Sequence, residues 1–162
     1  MKSNEVITIS GKRGYGKTTL AKNIIGQLKR VAVWDPMNEY EHPNSYIPQR
    51  GDMKEFNSWL KGYWQTGNVF ILVDEADQVM PERKPLPDYA NKIINLGRHR
   101  NIGIGMVTRR LANLNKTAVS QSATLYLFHH FLINDIRYLK EMIPEAESLQ
   151  KLQKFQYKTY DL

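Results

Sequence analysis

The sequence has 162 residues, of which 41% are hydrophobic and 24% are charged, as in an ordinary soluble chain that buries a sizeable core. It contains no cysteine, which excludes disulfides, thiolate catalysis and cysteine-based zinc sites. Lysine and arginine (23) outnumber aspartate and glutamate (16), and the formal net charge of +7 favours a polyanionic partner.

We expect a soluble, cytoplasmic protein without membrane insertion. The first predicted strand begins at Val6, and no apolar secretory segment precedes it. Apolar runs such as Val69–Val73 are far too short to cross a bilayer as a helix.

Strands and helices alternate along the chain, which is typical of an α/β fold with a mainly parallel sheet flanked by helices on both faces. Apolar runs predict strands at residues 6–10, 31–34, 69–73, 102–107 and 124–128, and an alternating tail predicts an edge strand at residues 155–160. Helical spacing predicts helices at residues 17–29, 88–96 and 135–142, one around Val119 and one capped by Asp52. Residues 1–162 show no repeat or linker, so we predict a single domain.

The glycine-rich segment GKRGYGKTT joins the first predicted strand to the first predicted helix. Glycines let the backbone curl around an anion with its N–H groups pointing inward, and the helix N-terminus adds a positive dipole end. The spacing Gly11-x-x-x-x-Gly16-Lys17-Thr18, in a strand–loop–helix context, is that of a phosphate-binding loop. The predicted nucleotide-binding residues here are Gly11, Gly14, Tyr15, Gly16, Lys17, Thr18 and Thr19.

Two side chains of this loop carry distinct roles. Lys17 is expected to reach the β- and γ-phosphates, and the Thr18 hydroxyl is expected to ligate magnesium. The loop therefore predicts ATP as the bound nucleotide and Mg²⁺ as its metal.

Two acidic residues follow the apolar strand predicted at residues 69–73. Asp74, at the strand tip, is suited to support the magnesium ion beside Thr18, and Glu75 is suited to polarise a water for in-line attack on the γ-phosphate. A phosphate-transferring kinase needs no such water-activating glutamate, so this pair favours an ATPase.

Four blocks of the sequence, namely GKRGYGKTT, VWDPMNEY, FILVDEAD and GRHRNIGIGMVTRR, resemble the HerA/FtsK superfamily of ring-forming, DNA-translocating ATPases. The resemblance covers most of the chain, from Val6 to about Pro144, and implies a P-loop NTPase fold of the RecA/HerA-like type. In the second block, Asp35 and Pro36 match the Asp-Pro-like turn of the family, with Glu39 and Tyr40 as its acidic-Tyr pair. On this basis we add Asp35 to the nucleotide-binding residues.

The fourth block implies roles for three arginines. Its Gly-Arg pair points to Arg98 as an arginine finger that enters the site of a neighbouring subunit, with Arg100 as the nearby alternative. Family members usually carry a γ-phosphate-sensing glutamine at the end of this strand, where Arg109 stands here, so we expect a cationic contact in its place. The alternative is that these arginines are solvated charges or contacts to a polyanion.

The chain is similar to the stripped ATPase core of small genome-packaging ATPases of viruses and mobile elements. This resemblance implies a homo-oligomeric ring, a hexamer in the family, that moves or packages double-stranded DNA. It also implies a capsid or other recruiting protein as a further partner, and the host cytoplasm as the location if the source is viral.

Four basic residues are candidates for contacting DNA. Arg83 and Lys84 stand in a short loop after the catalytic strand, Arg110 ends the fourth block and Lys116 follows it. Contacts to phosphate need only positive charge and would be independent of sequence. An ordinary solvated loop is the alternative for Arg83 and Lys84.

Two other functions compete with a DNA motor. A nucleotide or small-molecule kinase predicts an acceptor pocket and needs neither Glu75 nor a second subunit. An ATPase whose partner is a protein predicts hydrolysis that does not respond to DNA.

Overall fold

A seven-stranded sheet forms the centre of the computed structural model, which describes residues 3–162. Its strands are β1 (Val6–Ser10), β2 (Val31–Trp34), β3 (Ser45–Tyr46), β4 (Val69–Val73), β5 (Ile102–Thr108), β6 (Thr124–Leu127) and β7 (Lys158–Asp161). They lie in the order β3-β2-β4-β5-β1-β6-β7, and every neighbouring pair is parallel except β6 and β7. The predicted α/β architecture is confirmed.

Helices cover both faces of this sheet. They are α1 (Lys17–Ile25), α2 (Met53–Thr66), α3 (Ala76–Val79), α4 (Asp88–Leu96), α5 (Lys116–Ser120) and α6 (Ile133–Lys140). The core on one face contains α1 residues, and the core on the other contains residues of α2 to α6. Side chains alternate between the two cores along each strand, as in β4, where Phe70 faces one and Ile71 the other. None of the helices within residues 3–162 has both the length and the hydrophobicity of a membrane span.

Two glycines in β5 make room for an aromatic ring of β4. A Cβ placed on Gly103 or Gly105 would lie 2.9 Å from ring atoms of Phe70, which is too close for a real contact. Phe70 is itself almost completely buried. The two glycines thus allow β4 and β5 to pair while the Phe70 ring lies across β5. This explains why a central strand contains two residues without side chains.

The structure contains β3 and α3, which were not predicted, and the predicted elements differ from the observed ones at helix and strand ends. Helix α1 stops at Ile25 rather than residue 29, because Gln27 and Leu28 donate to carbonyls three residues back, which tightens the last turn. The tail strand covers residues 158–161 instead of 155–160, because Phe155 has a φ of 64°, outside the extended region.

Parallel strands bring distant segments of the chain to one edge of the sheet. The loops that leave the carboxyl ends of β1, β2, β4 and β5 all emerge at this edge. Strand β5 lies between β1 and β4, so the residue that follows β5 stands between the phosphate-binding loop and the acids after β4. Open α/β sheets bind ligands at such edges.

Candidate nucleotide-binding site

The loop after β1 has the backbone of an anion cradle. Gly11, Gly14 and Gly16 have φ angles of 144°, 79° and 105°, in the region that residues with a Cβ rarely adopt. Gly11 also approaches Phe128 so closely that an added Cβ would lie 2.6 Å from the Phe128 Cβ. Each glycine is therefore required by local geometry.

A cavity of about 350 Å³ opens at the start of α1, a size suited to a small ligand. Of the predicted nucleotide-binding residues, Gly14, Gly16, Lys17, Thr18 and Thr19 line it, whereas Gly11, Tyr15 and Asp35 do not. The remaining lining residues are Arg13, Glu39, Asp74, Glu75, Arg109 and Phe155. The structure thus brings the glycine loop, both acids and Arg109 into one cavity.

Lys17 is the buried cation of this cavity. Its ammonium donates a hydrogen bond to the Lys12 carbonyl oxygen at 3.1 Å, across the glycine loop. Burial lowers the pKa of Lys17, and the nearby carboxylates of Glu75 and Asp74 partly offset that effect. The positive charge is therefore desolvated and faces the acids, where it interacts more strongly with an anion than it would in water.

Asp74 is buried at the tip of β4, and its Oδ1 accepts a hydrogen bond from the Glu75 backbone N–H at 2.9 Å. Burial raises the pKa of Asp74 to about 6, and the negative charges of Glu75 and Glu39 add to the rise. A carboxylate in such surroundings gains strongly from a nearby cation, as a metal ligand does.

Glu75 follows in an uncommon backbone conformation, with φ 47° and ψ 45°. A residue with a side chain is rarely held in this left-handed region outside functional sites. The turn directs the Glu75 carboxylate back over the cavity, where its Oε1 lies 2.5 Å from the Arg109 Nη2. Arg109 thus contacts Glu75 from the end of β5, the position at which a phosphate-sensing residue is expected.

Asp35 has a different place from the one expected. Its carboxylate accepts hydrogen bonds from the backbone of Glu39 and Tyr40 at 2.8 and 2.9 Å and from the Ser45 hydroxyl at 3.0 Å. These bonds join Asp35 to the turn after β2 and to the start of β3. Asp35 therefore fixes the turn that delivers Glu39 to the cavity, and it does not itself line the cavity.

Glu39 is a site residue to which the sequence assigned no role. Its Oε2 accepts a hydrogen bond from the Thr18 hydroxyl at 3.2 Å. The adjacent Tyr40 is buried, and its hydroxyl has no hydrogen-bond partner within residues 3–162. Burial, with the charges of Asp74 and Asp35, raises the pKa of Tyr40, so its hydroxyl stays neutral. The acidic-Tyr pair at the end of the block VWDPMNEY is the sequence feature that could have indicated a role for Glu39 in the site.

These oxygens fit a magnesium ion. The Thr18 hydroxyl hydrogen is directed to Glu39, which leaves the Thr18 oxygen lone pairs available, and Asp74 supplies a buried carboxylate. Mg²⁺ prefers oxygen ligands and takes only one or two carboxylates beside substrate phosphates and waters. No cluster of three or more acidic, histidine or cysteine side chains that could hold a metal occurs in residues 3–162.

The two candidate finger residues lie at the opposite edge of the sheet. Arg98 and Arg100 belong to a 3₁₀ turn, Gly97–Arg100, that precedes β5, and β5 itself is seven residues or roughly 20 Å long. Neither arginine can therefore reach the cavity of its own chain.

The two arginines differ in their surroundings. Arg100 donates hydrogen bonds to the carbonyl oxygens of Trp64 at 2.8 Å and Gln65 at 3.1 Å, and its guanidinium lies 5.1 Å from the Trp64 ring centre. Arg98 is exposed, and its side chain makes no hydrogen bond or ion pair within the described part of the chain. Arg100 is thus committed to the end of α2, whereas Arg98 is available to a neighbour.

Three of the four DNA-contact candidates lie on one surface. The loop that follows α3 joins the loop before α5 through a bond from the Glu82 N–H to the Asn113 carbonyl at 2.8 Å. Arg83 and Lys84 are exposed on the first loop, and the exposed Lys116 lies 3.9 Å from Glu82. Arg110 is separate, because its Nε lies 3.3 Å from the Asp135 carboxylate of α6.

Solved structures share this architecture. The genome packaging NTPase B204 from Sulfolobus turreted icosahedral virus 2, in complex with ATP-gammaS, matches with a TM-score of 0.83 and 15% sequence identity. The match covers 99% of this chain and 94% of that one. The chain has the α/β fold of a P-loop NTPase.

Two further structures contain the same NTPase fold. The N-terminal domain of zonular occludens toxin from Neisseria meningitidis has a TM-score of 0.64 and 17% identity, over 98% of this chain and 93% of that one. The pCW3 conjugation coupling protein TcpA, with ATPgS, has a TM-score of 0.67 and 11% identity, over 99% of this chain and 58% of that one. Neither a protein-family model nor a curated protein sequence matches the chain.

Proposed function

We propose that the protein is an ATPase that hydrolyses ATP with Mg²⁺. One observation carries the proposal: the buried Lys17, the buried Asp74 and the strained Glu75 converge on the cavity formed by the glycine loop. Positive charge, metal-supporting carboxylate and general base are the three groups that phosphoanhydride hydrolysis needs. The structure of B204, which is 15% identical to this chain, contains ATP-gammaS, and this ligand is consistent with ATP as the nucleotide.

Each residue has a role in that reaction. The glycine-loop N–H groups and Lys17 hold the β- and γ-phosphates, and Thr18 and Asp74 hold Mg²⁺. When bound, Mg²⁺ neutralises charge on the β- and γ-phosphate oxygens. Glu75 accepts a hydrogen bond from the attacking water and orients it in line with the bond that breaks. Arg109 stands beside Glu75 and supplies positive charge at the γ-phosphate end of the cavity.

The active species is a homo-oligomeric ring, with a hexamer as the simplest reading of the family resemblance. Support comes from the position of Arg98, whose side chain has no hydrogen-bond or ion-pair partner within residues 3–162 and which lies at the edge of the sheet opposite its own cavity. Placed in the site of the next subunit, Arg98 would stabilise charge that develops on the transferred phosphoryl group.

The work done by hydrolysis is the movement or packaging of double-stranded DNA in the cytoplasm, that of the host if the protein is viral. B204 is a packaging NTPase, and TcpA is a conjugation coupling protein. In this chain, Arg83 and Lys84, on the loop after α3, and Lys116, at the start of α5, form an exposed basic surface. Such a surface suits the regularly spaced phosphates of a duplex.

A protein partner is the second candidate, and one observation favours it. Phe131 and Ile133 are 51% and 72% exposed and lie close together in the chain, next to the start of α6. Exposed apolar side chains of this size suit a protein surface, either that of a neighbouring subunit or that of a recruiting protein such as a capsid component.

Steady-state ATP hydrolysis tests the proposal. The rate is measured with and without long double-stranded DNA, at low and high salt, for the wild type and Glu75→Gln. We expect stimulation by DNA that fades with salt, and a variant that binds ATP but turns over about 10²–10⁴ times more slowly. Hydrolysis at the same rate with and without DNA would favour a protein partner over DNA. Normal turnover by Glu75→Gln would show that Glu75 is not the general base.

A further inference from the structure

The cavity has an aromatic side chain at its rim that the phosphate chemistry does not use. Phe155 lines the cavity, and 67% of the residue is exposed to solvent. Its backbone has a φ of 64°, a region that costs free energy for a residue with a Cβ. An exposed phenylalanine in a strained backbone contributes little to stability, so its position requires another explanation.

The surrounding chain holds Phe155 in place. The Phe155 N–H donates to the Tyr15 carbonyl oxygen at 3.0 Å, which ties the tail to the glycine loop. Three residues earlier, the Leu152 carbonyl lies 3.1 Å from the His129 Nδ1. Two residues later, the Tyr157 ring packs on Phe128, with 5.2 Å between ring centres, just before β7 pairs with β6.

The ring lies directly against the glycine loop. A Cβ added to Gly16 would be 2.8 Å from the Phe155 Cδ1. Gly16 immediately precedes Lys17 and the start of α1, so the aromatic edge borders the place where a phosphate chain would lie. The absence of a side chain at Gly16 is thus required by Phe155 as well as by its own φ angle of 105°.

The sheet order separates the two ends of the cavity. Strands β4 and β5 lie on one side of β1 and deliver Asp74, Glu75 and Arg109, whereas β6 and β7 lie on the other side, with Phe155 in the segment just before β7. A nucleotide whose terminal phosphate points to Glu75 therefore extends its base towards Phe155.

We propose that Phe155 is the platform on which the purine base of the bound nucleotide stacks. The inference rests on the proposed function, since both place a nucleoside triphosphate in the same cavity. The exposed face of a fixed ring offers a flat, apolar surface, and stacking on an aromatic ring stabilises a base without recognising its edge. Adenine and guanine nucleotides would therefore gain similarly from this contact.

Isothermal titration with Mg·ATP and with magnesium tripolyphosphate tests the platform, because tripolyphosphate has the phosphates and no base. Phe155→Ala removes the ring and keeps a residue with a Cβ at this backbone position. We expect this variant to bind ATP about 5- to 100-fold more weakly and tripolyphosphate as the wild type does. Phe155→Trp should restore ATP affinity. Ile47→Ala, at an exposed apolar residue outside the cavity, serves as the control and should bind both ligands normally.

Each other outcome overturns the platform. Unchanged ATP affinity in Phe155→Ala would exclude stacking, and equal losses for ATP and tripolyphosphate would mean that the ring shapes the phosphate loop alone. If the wild type binds tripolyphosphate but binds ATP no more tightly, the base has no platform while the phosphate site stands. If it binds neither ligand, the proposed ATPase function fails as well.

Discussion

The Arg109 guanidinium and the Glu75 carboxylate form an ion pair with 2.5 Å between Nη2 and Oε1, at the end of the cavity that faces the acids. The pair joins two adjacent strands of the sheet, since Glu75 follows β4 and Arg109 follows β5. Arg109 is thus the partner of the proposed base. A γ-phosphate placed in the same cavity offers Arg109 a second anion and would leave Glu75 free to hold a water.

Substitution of Arg109 should therefore impair turnover more than binding. Arg109→Ala is expected to lower kcat by about 10²-fold, because a charge that stabilises the reacting phosphate is lost. Arg109→Gln keeps two N–H donors and should retain more activity than the alanine variant. Steady-state kinetics of both variants check this, with ATP affinity measured separately. Wild-type turnover in Arg109→Ala would exclude a role in the reaction.

Arg98 and Arg100 should have separable effects. Arg98→Ala is expected to lower hydrolysis by about 10³-fold or more without loss of stability, because its side chain has no partner within residues 3–162. Arg100→Ala removes bonds to the Trp64 and Gln65 carbonyls and should mainly lower the unfolding midpoint.

Mixing subunits then tests whether Arg98 acts between chains. Arg98→Ala and Glu75→Gln are each expected to be inactive alone, and an equimolar mixture should recover part of the wild-type rate. Recovery arises at sites where the Arg98→Ala subunit supplies Glu75 and its neighbour supplies Arg98. A mixture as inactive as its two components would contradict the shared site. A second mixture, of Arg98→Ala and Arg100→Ala subunits, serves as the comparison.

Asp74 should make the free protein less stable as the pH rises. Its pKa is about 6 in the folded chain against an ordinary value of 3.8, so the folded state holds the proton more tightly than the unfolded state. The resulting cost, roughly 3 kcal/mol, is absent below pH 3.8 and is fully present above about pH 6. Asp74→Asn should therefore be more stable than the wild type at pH 7, by up to that amount, and similar to it near pH 4.

Denaturant unfolding at several pH values, without magnesium or nucleotide, measures this difference. The same variant should lose magnesium-dependent ATP binding, which separates the stability effect from the functional one. A constant difference in unfolding free energy between pH 4 and pH 7 would show that Asp74 has no raised pKa.

Reversal of charge at Arg83 and Lys84 should weaken DNA binding at all sequences alike. The double variant Arg83→Glu/Lys84→Glu is expected to reduce the slope of log affinity against log salt by about 2, one for each lost phosphate contact, with basal ATP hydrolysis unchanged. Lys54→Glu/Lys61→Glu makes the same change in net charge on the exposed side of α2 and should have a smaller effect. Equal losses in both double variants would assign the effect to net charge alone.

The sequence allowed the central strands and the phosphate loop to be predicted, because both depend on neighbouring residues. Strands β1, β2 and β4 have the predicted bounds, since their apolar, largely β-branched runs end at Gly, Asp or Asn. The cap of α2 was also predictable, as Asp52 accepts a bond from the Glu55 N–H at 2.7 Å.

Other features depend on contacts across the chain and could not be predicted in this way. The choice between Arg98 and Arg100 depends on carbonyls about 35 residues away. Asp35 satisfies its oxygens with the turn after β2 and with Ser45, although the resemblance of Asp35 and Pro36 to the turn of the family suggested a ligand contact. Phe155 belonged to an alternating tail, and its bond to Tyr15 and its contact with Gly16 place it beside the cavity.

The separation of Arg98 from its own cavity by the length of β5 has a genetic consequence. If Arg98 acts on the next subunit, its loss inactivates the nucleotide site of that neighbour and leaves the nucleotide site of the altered subunit intact. An allele lacking Arg98 would then be dominant over a wild-type copy in the same cell, because mixed assemblies would carry dead sites in normal subunits.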